Sequence, residues 1–346
     1  MSSRGRKLIS GAIRLGILAF AVVWMALDPN WKWSDLREVV RTADWRLLAF
    51  AILSFGPCPV LIALRLKWLL SVHQVNLSIW QAIKVTFAGN FIIWALPVGT
   101  SGGDAAKAFY IARDTPHKHE AVTTVFFDRV VGVVSLVLMS GLMALLNWGN
   151  PAMAEKGRVI GVFALVFFCG AAVYFSNRLR RVLGIDWILA RLPLAAHLQR
   201  IDRAVFEFRR QPRVVLAALL LTIALQSVCI LSLYLSGWSL GVVGERPLEA
   251  LPLYFAYGPV CFLAGALPIG GMEAVCVLLF SRTAELGPPG AAVLLALSNR
   301  AIQLLWALPG ALVVLRGGSL RRTRELIEHS ATADPPESVA TGPLHA

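Results

Sequence analysis

The sequence predicts an all-α, polytopic membrane protein with about six full transmembrane helices and two oppositely oriented re-entrant helical hairpins. Three observations carry this expectation. Of 346 residues, 57% are apolar and 15% charged, and mean hydropathy is +0.67, which excludes a soluble globular chain and leaves no room for a disordered, collagenous or disulfide-rich one. Apolar runs near 20 residues long recur, the length that spans ~30 Å of hydrocarbon at 1.5 Å per residue. The balance of 33 basic against 20 acidic residues, +13, is concentrated between those runs and reads as a positive-inside bias.

The first span, roughly Leu8 to Leu27, follows Arg4-Gly5-Arg6-Lys7, which places its amino end in the cytoplasm. The run is too long for a signal-peptide core and meets Asp28-Pro29 without a small-residue cleavage site, so an uncleaved anchor is expected. Residues 28–46 interleave four basic and four acidic groups with Trp31, Trp33 and Trp45, as suits a short interfacial segment on the far side. The second span, Leu47 to Leu64, contains Pro57 and Pro59 and returns inside to Arg65 and Lys67. Two further spans, Ala121 to Asn147 and Arg158 to Ser176, lead to residues 177–213, where nine arginines face Asp186, Asp202 and Glu207. So basic a loop belongs in the cytoplasm. Val214 to Ser236 then crosses outward, and Ala291 to Leu315 returns to a tail bearing Arg316, Arg321, Arg322 and Arg324. Both termini are expected inside. A single transmembrane domain thus covers 1–316, with halves at roughly 47–176 and 214–316 around the basic loop 177–213, and residues 317–346 form a disordered cytoplasmic tail.

Two apolar stretches remain, about 79–113 and 250–285, each broken centrally by proline and glycine. A simple crossing at either one violates the charge pattern, so each enters and leaves by the same face, the first from the cytoplasm and the second from outside. The two resemble each other. Ala95-Leu96-Pro97-Val98-Gly99 leads into Thr100-Ser101-Gly102-Gly103-Asp104; Ala266-Leu267-Pro268-Ile269-Gly270 leads into Gly271-Met272-Glu273. Downstream lie Asp128-Arg129 and Asn299-Arg300, and 129 minus 97 equals 300 minus 268, so one constant shift relates prolines and arginines alike. That is the signature of an internal duplication, here with inverted topology, as in transporters with interrupted helices near the midplane. Irregular backbone at membrane depth must be buried in protein or line a wet cavity. Helices restarting after Gly99 to Gly103 and after Gly270-Gly271 would point unpaired amides into such a cavity, where anions are favoured. The competing reading is that these breaks only kink packed helices.

Arg129 and Arg300 lie some nine or ten residues into their spans, on the order of 13 to 15 Å deep. An arginine there costs at least ~2.5 kcal/mol, so each faces a cavity, a partner or a ligand. One alternative is an internal salt bridge with Asp104, Asp128 or Glu273. The other is a phosphate-bearing headgroup, whose oxygens match the guanidinium fork. Asp104 and Glu273 either cap the restarting helices, hold the arginines in place, or receive the amine of a zwitterionic or aminoacylated headgroup. Lys84 and Lys107 flank the first hairpin and either attract anionic lipid or snorkel. Asn90, Ser101 and Asn299 are lesser polar candidates.

Other chemistries find little support. The five cysteines lie in apolar runs without metal or redox spacing and are expected to be inert. His117-Lys118-His119 has no further ligands nearby, so neither metal nor cofactor is expected. No phosphate loop, nucleophile elbow or zinc motif occurs, and Gly102-Gly103-Asp104 lacks a surrounding βαβ unit. Within the basic loop, Ile201 to Phe208 carries apolar residues at helical spacing and reads as an amphipathic helix on an anionic inner leaflet, not as a nucleic-acid surface.

Asn90 before Leu96-Pro97-Val98-Gly99, Gly102-Gly103-Asp104 with Lys107 and Tyr110, Phe127-Asp128-Arg129-Val130-Val131-Gly132, and Leu267-Pro268-Ile269-Gly270-Gly271-Met272-Glu273 together resemble the lysylphosphatidylglycerol synthase transmembrane-region family over residues 10–316. The resemblance implies a flippase-like membrane domain. In relatives it is joined to a soluble aminoacyl transferase; here the stretch from Arg316 to Ala346 is too short for one. The expected function is translocation of an anionic or phosphate-bearing lipid or lipid-linked intermediate, with Arg129, Arg300, Asp104, Glu273, Gly99, Gly102, Gly103, Gly270, Gly271, Asn90 and Lys107 as headgroup site. The alternatives are an enzyme or enzyme subunit acting on polyprenyl-phosphate-linked sugars, with Asp104 or Glu273 as base, and a scaffold for a lipid-modifying synthase. A lipid-synthesis enzyme or a second copy of the chain are the expected protein partners. In the topology predicted here, a cysteine introduced between residues 178 and 210 reacts with a membrane-impermeant maleimide only after cells are permeabilised; labelling of intact cells contradicts it.

Overall fold

The structure, a computed structural model, describes residues 33–95, 99–113, 115–149, 154–176, 178, 211–243, 247–265, 271–281 and 289–316. The expected first span, nearly all of the basic loop with its amphipathic stretch, the Leu96–Val98 and Ala266–Gly270 breaks and the tail lie outside them. All regular elements among the described residues are helices: α1 (Trp33–Thr42), α2 (Trp45–Phe55), α3 (Cys58–Ser71), α4 (Ile79–Ala95), α5 (Gly99–Arg113), α6 (Lys118–Leu146), α7 (Ala154–Phe175), α8 (Pro212–Ser239), α9 (Pro247–Ala264), α10 (Gly271–Ser281), α11 (Pro289–Ala307) and α12 (Pro309–Arg316). Among the described residues, five stretches are long and apolar enough to cross a bilayer: Trp45–Ser71, Lys118–Leu146, Pro212–Ser239, Pro247–Ala264 and Ala291–Arg316. The chain is a multi-pass membrane protein.

Large apolar side chains point outward as well as inward, as expected where the solvent is lipid. Phe50, Leu53, Leu145, Val159 and Leu165 are all exposed. Along α6 the buried residues Ala121, Thr124, Val125, Asp128, Val131, Ser135 and Met139 recur every three or four positions and define one inward face. Between helices the glue is small and polar. Ser140 Oγ donates to the Ala256 carbonyl at 2.6 Å, joining α6 to α9, and Ser232 Oγ donates to the Ala51 carbonyl at 2.7 Å, joining α8 to α2.

Two predicted spans are broken. The span expected over Leu47–Leu64 is α2 and α3, interrupted at Gly56-Pro57 and continuing to Ser71. Proline lacks the amide that would close the last turn of α2, and the freed carbonyls find other donors. Trp306 Nε1 donates to the Ile52 carbonyl at 2.8 Å, and Gly56 N–H to that of Leu53 at 3.0 Å. A Cβ on Gly56 would stand 2.8 Å from the Trp306 ring, so glycine is what admits the indole. The last span is likewise divided at Leu308-Pro309 into α11 and α12.

The two hairpins appear as α4–α5 and α9–α10, helix pairs that pack on each other. Under the shift that carries Arg129 onto Arg300, α4 falls on 250–266, which α9 nearly fills; α5 falls around α10; and α6 falls on 289–317, covered by α11 and α12 together. The arms are unequal. At 18 residues α9 is long enough to cross alone, even with Pro252 and Pro259 inside it, whereas α10 has 11 residues. The helix α7 has no counterpart among the described residues under this shift.

The Gly102-Gly103 pair differs from expectation. The helix α5 begins at Gly99, so both glycines are inside it and buried, and they form no free-amide turn before it. A Cβ on Gly103 would meet Gly89 O at 2.7 Å and run into the Ile93 side chain. This glycine brings the backbones of α4 and α5 together. A similar approach joins α12 to α4, where a Cβ on Gly310 would collide with the Phe87 carbonyl. Replacing Gly310 by valine should therefore destabilise the protein by roughly 1–3 kcal/mol, read as a lowered midpoint in detergent thermal melts. Gly170→Ala, where a Cβ meets nothing within 4 Å, should leave the midpoint in place.

Candidate functional site

Residues from α2, α3, α4, α5, α6, α8, α9, α10 and α11 enclose a cavity of about 720 Å³. Its walls are largely apolar, with Phe55, Val122, Phe126 and Leu136 among them, and its polar lining includes Asn90, Asp104, Lys107, Arg129 and Arg300. Five of the sequence-predicted site residues, Asn90, Asp104, Lys107, Arg129 and Arg300, thus line one space, whereas Gly102, Gly103, Gly271 and Glu273 are not part of its wall. Gly270 lies outside the described residues, as do the side-chain surroundings of Gly99. Gly271 opens α10, and Glu273 stands behind Arg300 without lining the cavity.

Each predicted arginine is clamped by the acid that follows the break in its own half. Arg129 donates to Asp104 through two nitrogens, Nε to Oδ2 and Nη2 to Oδ1, the latter at 2.7 Å. Arg300 Nε pairs with Glu273 Oε1. Of the roles open to Asp104, positioning the arginine is the one observed; as the sixth residue of α5 it is too far along to cap that helix. Glu273, third in α10, pairs with Arg300 and also complements the positive end of its helix. Under the shift that relates the arginines, Asp104 falls on Val275 and not on Glu273, so the longer glutamate reaches its arginine from a different position. Arg129 keeps 44% of its side chain exposed, and Arg300 28%, so both side chains still face the cavity beyond their clamps.

A third ion pair was not expected. Arg65, which reads in sequence as the basic end of a span, is buried: Nε donates to Asp128 Oδ1 at 2.6 Å and Nη2 to Oδ2 at 2.8 Å. Nη1 donates to Thr222 Oγ1 at 3.1 Å, while that hydroxyl donates to the Ala218 carbonyl at 2.6 Å. One guanidinium thereby ties α3 to α6 and α8. The sequence signal that points here is Trp68-Leu69-Leu70, an apolar turn beyond Lys67 that keeps Arg65 inside the helix and away from the interface. Lys107 is also placed otherwise than by snorkelling. It is 5% exposed, lines the cavity, and lies along Gly89, where a Cβ would meet its Cγ at 2.6 Å. Lys84, by contrast, is exposed.

The cysteines are free, but four of them meet in pairs, Cys261 with Cys276 and Cys58 with Cys229. Cys58 and Cys229 bring their Sγ atoms to 3.2 Å of each other at the cavity wall, and they are separated by 171 residues, the same shift that relates the two clamped arginines. Linear spacing cannot reveal such a pair. Met272 sits beneath Asn299 and Gln303, whose amide nitrogens approach its sulfur at 3.8 and 3.9 Å. His117 faces Glu120 at 4.0 Å.

Breaking the Arg65–Asp128 pair from one side leaves a buried charge without its partner. Arg65→Met or Asp128→Leu alone should lower stability by about 3–5 kcal/mol, and the double variant should recover most of it, as measured by thermal melts of the purified proteins.

Against known proteins, the model of the lysylphosphatidylglycerol synthase TM region matches residues 11–310. The UPF0104 membrane protein PH1989 of Pyrococcus horikoshii is 24% identical over 184 residues, covering 51% of this chain and 54% of that protein. The chain thus spans about half the length of the curated relative it matches. The match to the family model runs through both hairpins and both clamped arginines, and the chain belongs to the family of the lysylphosphatidylglycerol synthase TM region.

Proposed function

We propose that this protein moves a phosphate-bearing lipid, or a lipid-linked intermediate, between the leaflets of a bacterial inner membrane. The observation that carries the reading is that Arg129 and Arg300, at equivalent positions of the two halves, both line one cavity, each held by a carboxylate from beside the break. A volume of about 720 Å³ falls within the range of small-molecule sites, and the apolar walls suit the glycerol and upper acyl region of a lipid. A clamped guanidinium loses little freedom when it takes up a phosphate oxygen.

The halves are read as an inverted repeat. Supporting this, equivalent segments occupy equivalent places: α6 packs on α9 as α12 and α11 pack on α4, and α5 packs on α6 as α10 packs on α11. The Cys58–Cys229 contact, between residues related by the same shift, lies where a pseudo-twofold axis would run. Transport then consists of rocking one half against the other, exposing the arginines to each leaflet in turn while the acyl chains stay in the bilayer. The basic loop rests on the anionic inner leaflet, both termini are cytoplasmic, and a lipid-synthesis enzyme or a second copy is the natural protein partner.

We read the site as binding and not catalytic. An enzyme acting on polyprenyl-phosphate sugars needs a carboxylate at the cavity free to take a proton, yet both oxygens of Asp104 and both of Asp128 accept from arginines, and Glu273, whose second oxygen has no partner, does not line the cavity. Reconstitution tests the proposal. Wild-type proteoliposomes carrying fluorescent anionic phospholipids should exchange them between leaflets, and Arg129→Ala or Arg300→Ala should slow exchange at least tenfold. Equal exchange by wild type and both variants for every anionic lipid tried overturns it.

A further inference from the structure

The charge count around the cavity has a property that the individual contacts do not. Six charged side chains line it: Arg65, Asp104, Lys107, Asp128, Arg129 and Arg300. With Glu273 behind Arg300, three neutral pairs form, Arg65–Asp128, Arg129–Asp104 and Arg300–Glu273. One charge is left over, that of Lys107. Its ammonium makes no hydrogen bond or ion pair with any described residue, although the residue is 5% exposed. It stands three positions after Asp104 on α5, so it shares a helix face with the Asp104–Arg129 clamp.

We propose, building on the lipid-translocation reading, that Lys107 sets the headgroup class: the site takes a headgroup of net charge −1 with no amine, a phosphodiester monoanion. A monoanion brings cavity and ligand together to zero, the state that a low-dielectric environment favours. A phosphomonoester dianion leaves one negative charge uncompensated. A zwitterionic or aminoacylated headgroup fails for a different reason, because its amine finds no carboxylate. The charge of Asp104 is matched by Arg129 and that of Asp128 by Arg65, and Glu273, paired with Arg300, does not line the cavity. The phosphate instead meets the ammonium of Lys107 together with the guanidinium donors of Arg129 that Asp104 leaves open, since Arg129 is the most exposed of the paired cations.

The test uses the full chain in phosphatidylcholine vesicles with four fluorescent lipids: phosphatidylglycerol (−1), phosphatidylethanolamine (zwitterion), lysylphosphatidylglycerol (+1), and phosphatidic acid at alkaline pH (approaching −2). The wild type should exchange phosphatidylglycerol fastest. In Lys107→Gln that preference should collapse by about tenfold or more, whereas Lys107→Arg, which keeps the charge, should keep the order of preference. The same order in wild type and Lys107→Gln, or a wild-type preference for the amine-bearing lipids, overturns the assignment while leaving lipid transport standing. If the wild type exchanges none of the four, transport itself fails, and equilibrium binding of phosphatidylglycerol and of soluble glycerophosphoglycerol to the detergent-purified proteins becomes the measurement. Binding of the lipid that weakens about tenfold in Lys107→Gln then still supports the charge assignment; equal binding by both proteins, or capture of the soluble diester as tightly as the lipid, refutes it.

Discussion

A charge without a partner is costly in hydrocarbon, and this protein is organised around that cost. Every arginine lining its central cavity is neutralised by a carboxylate from another helix. The most consequential is the Arg65–Asp128 pair, because its guanidinium also reaches Thr222 and so holds three helices at one point. Bidentate geometry fixes the planes of both groups, and a wrong register of α3 against α6 would strand two ions in a dry interior. The pair thus specifies an arrangement more than it adds net stability. Around it the packing relies on close backbone approach and hydroxyl-to-carbonyl bonds, since lipid supplies no hydrophobic force to drive apolar helices together.

The same economy governs the backbone. Where α2 stops at Gly56-Pro57, an indole from α11 and a glycine amide take the freed carbonyls, so the break costs little at the cavity wall. Gly103 and Gly310 act in the opposite sense, removing a side chain so that α5 and α12 can lie against the backbone of α4. These glycines belong to helix contacts, and the chemistry of the cavity rests on side chains.

The correspondence between the two halves is regular in the order of elements yet uneven in chemistry. Under the shift that carries Arg129 onto Arg300, Arg65 falls on Ser236 and Asp128 on Asn299, so only the first half carries the buried ion pair. Ser236 returns its hydroxyl to the Ser232 carbonyl of its own helix, and Asn299 leans its amide on the Met272 sulfur. Weak sulfur contacts there take the place of a bidentate salt bridge. The clamped arginines, by contrast, persist in both.

Much of the architecture is legible in the chain alone. Hydropathy and basic residues mark the membrane spans because the bilayer imposes one length and one preferred placement of charge on any helix that crosses it. The repeated Leu-Pro-x-Gly runs and the arginines that follow each by the same distance point to a single site before any coordinate is known, because an arginine at that depth must have a reason to be there. What linear order cannot carry is proximity between distant segments. Arg65 reads as the end of a span until Asp128 and Thr222 are brought to it; Cys58 and Cys229 read as unrelated until the fold sets their thiols side by side; Gly103 reads as a turn until Gly89 is found against it. Which acid holds which arginine, and that Lys107 is left over, are decided only when helices from both halves close on one volume, because electrostatic compensation depends on distance in space and not along the chain.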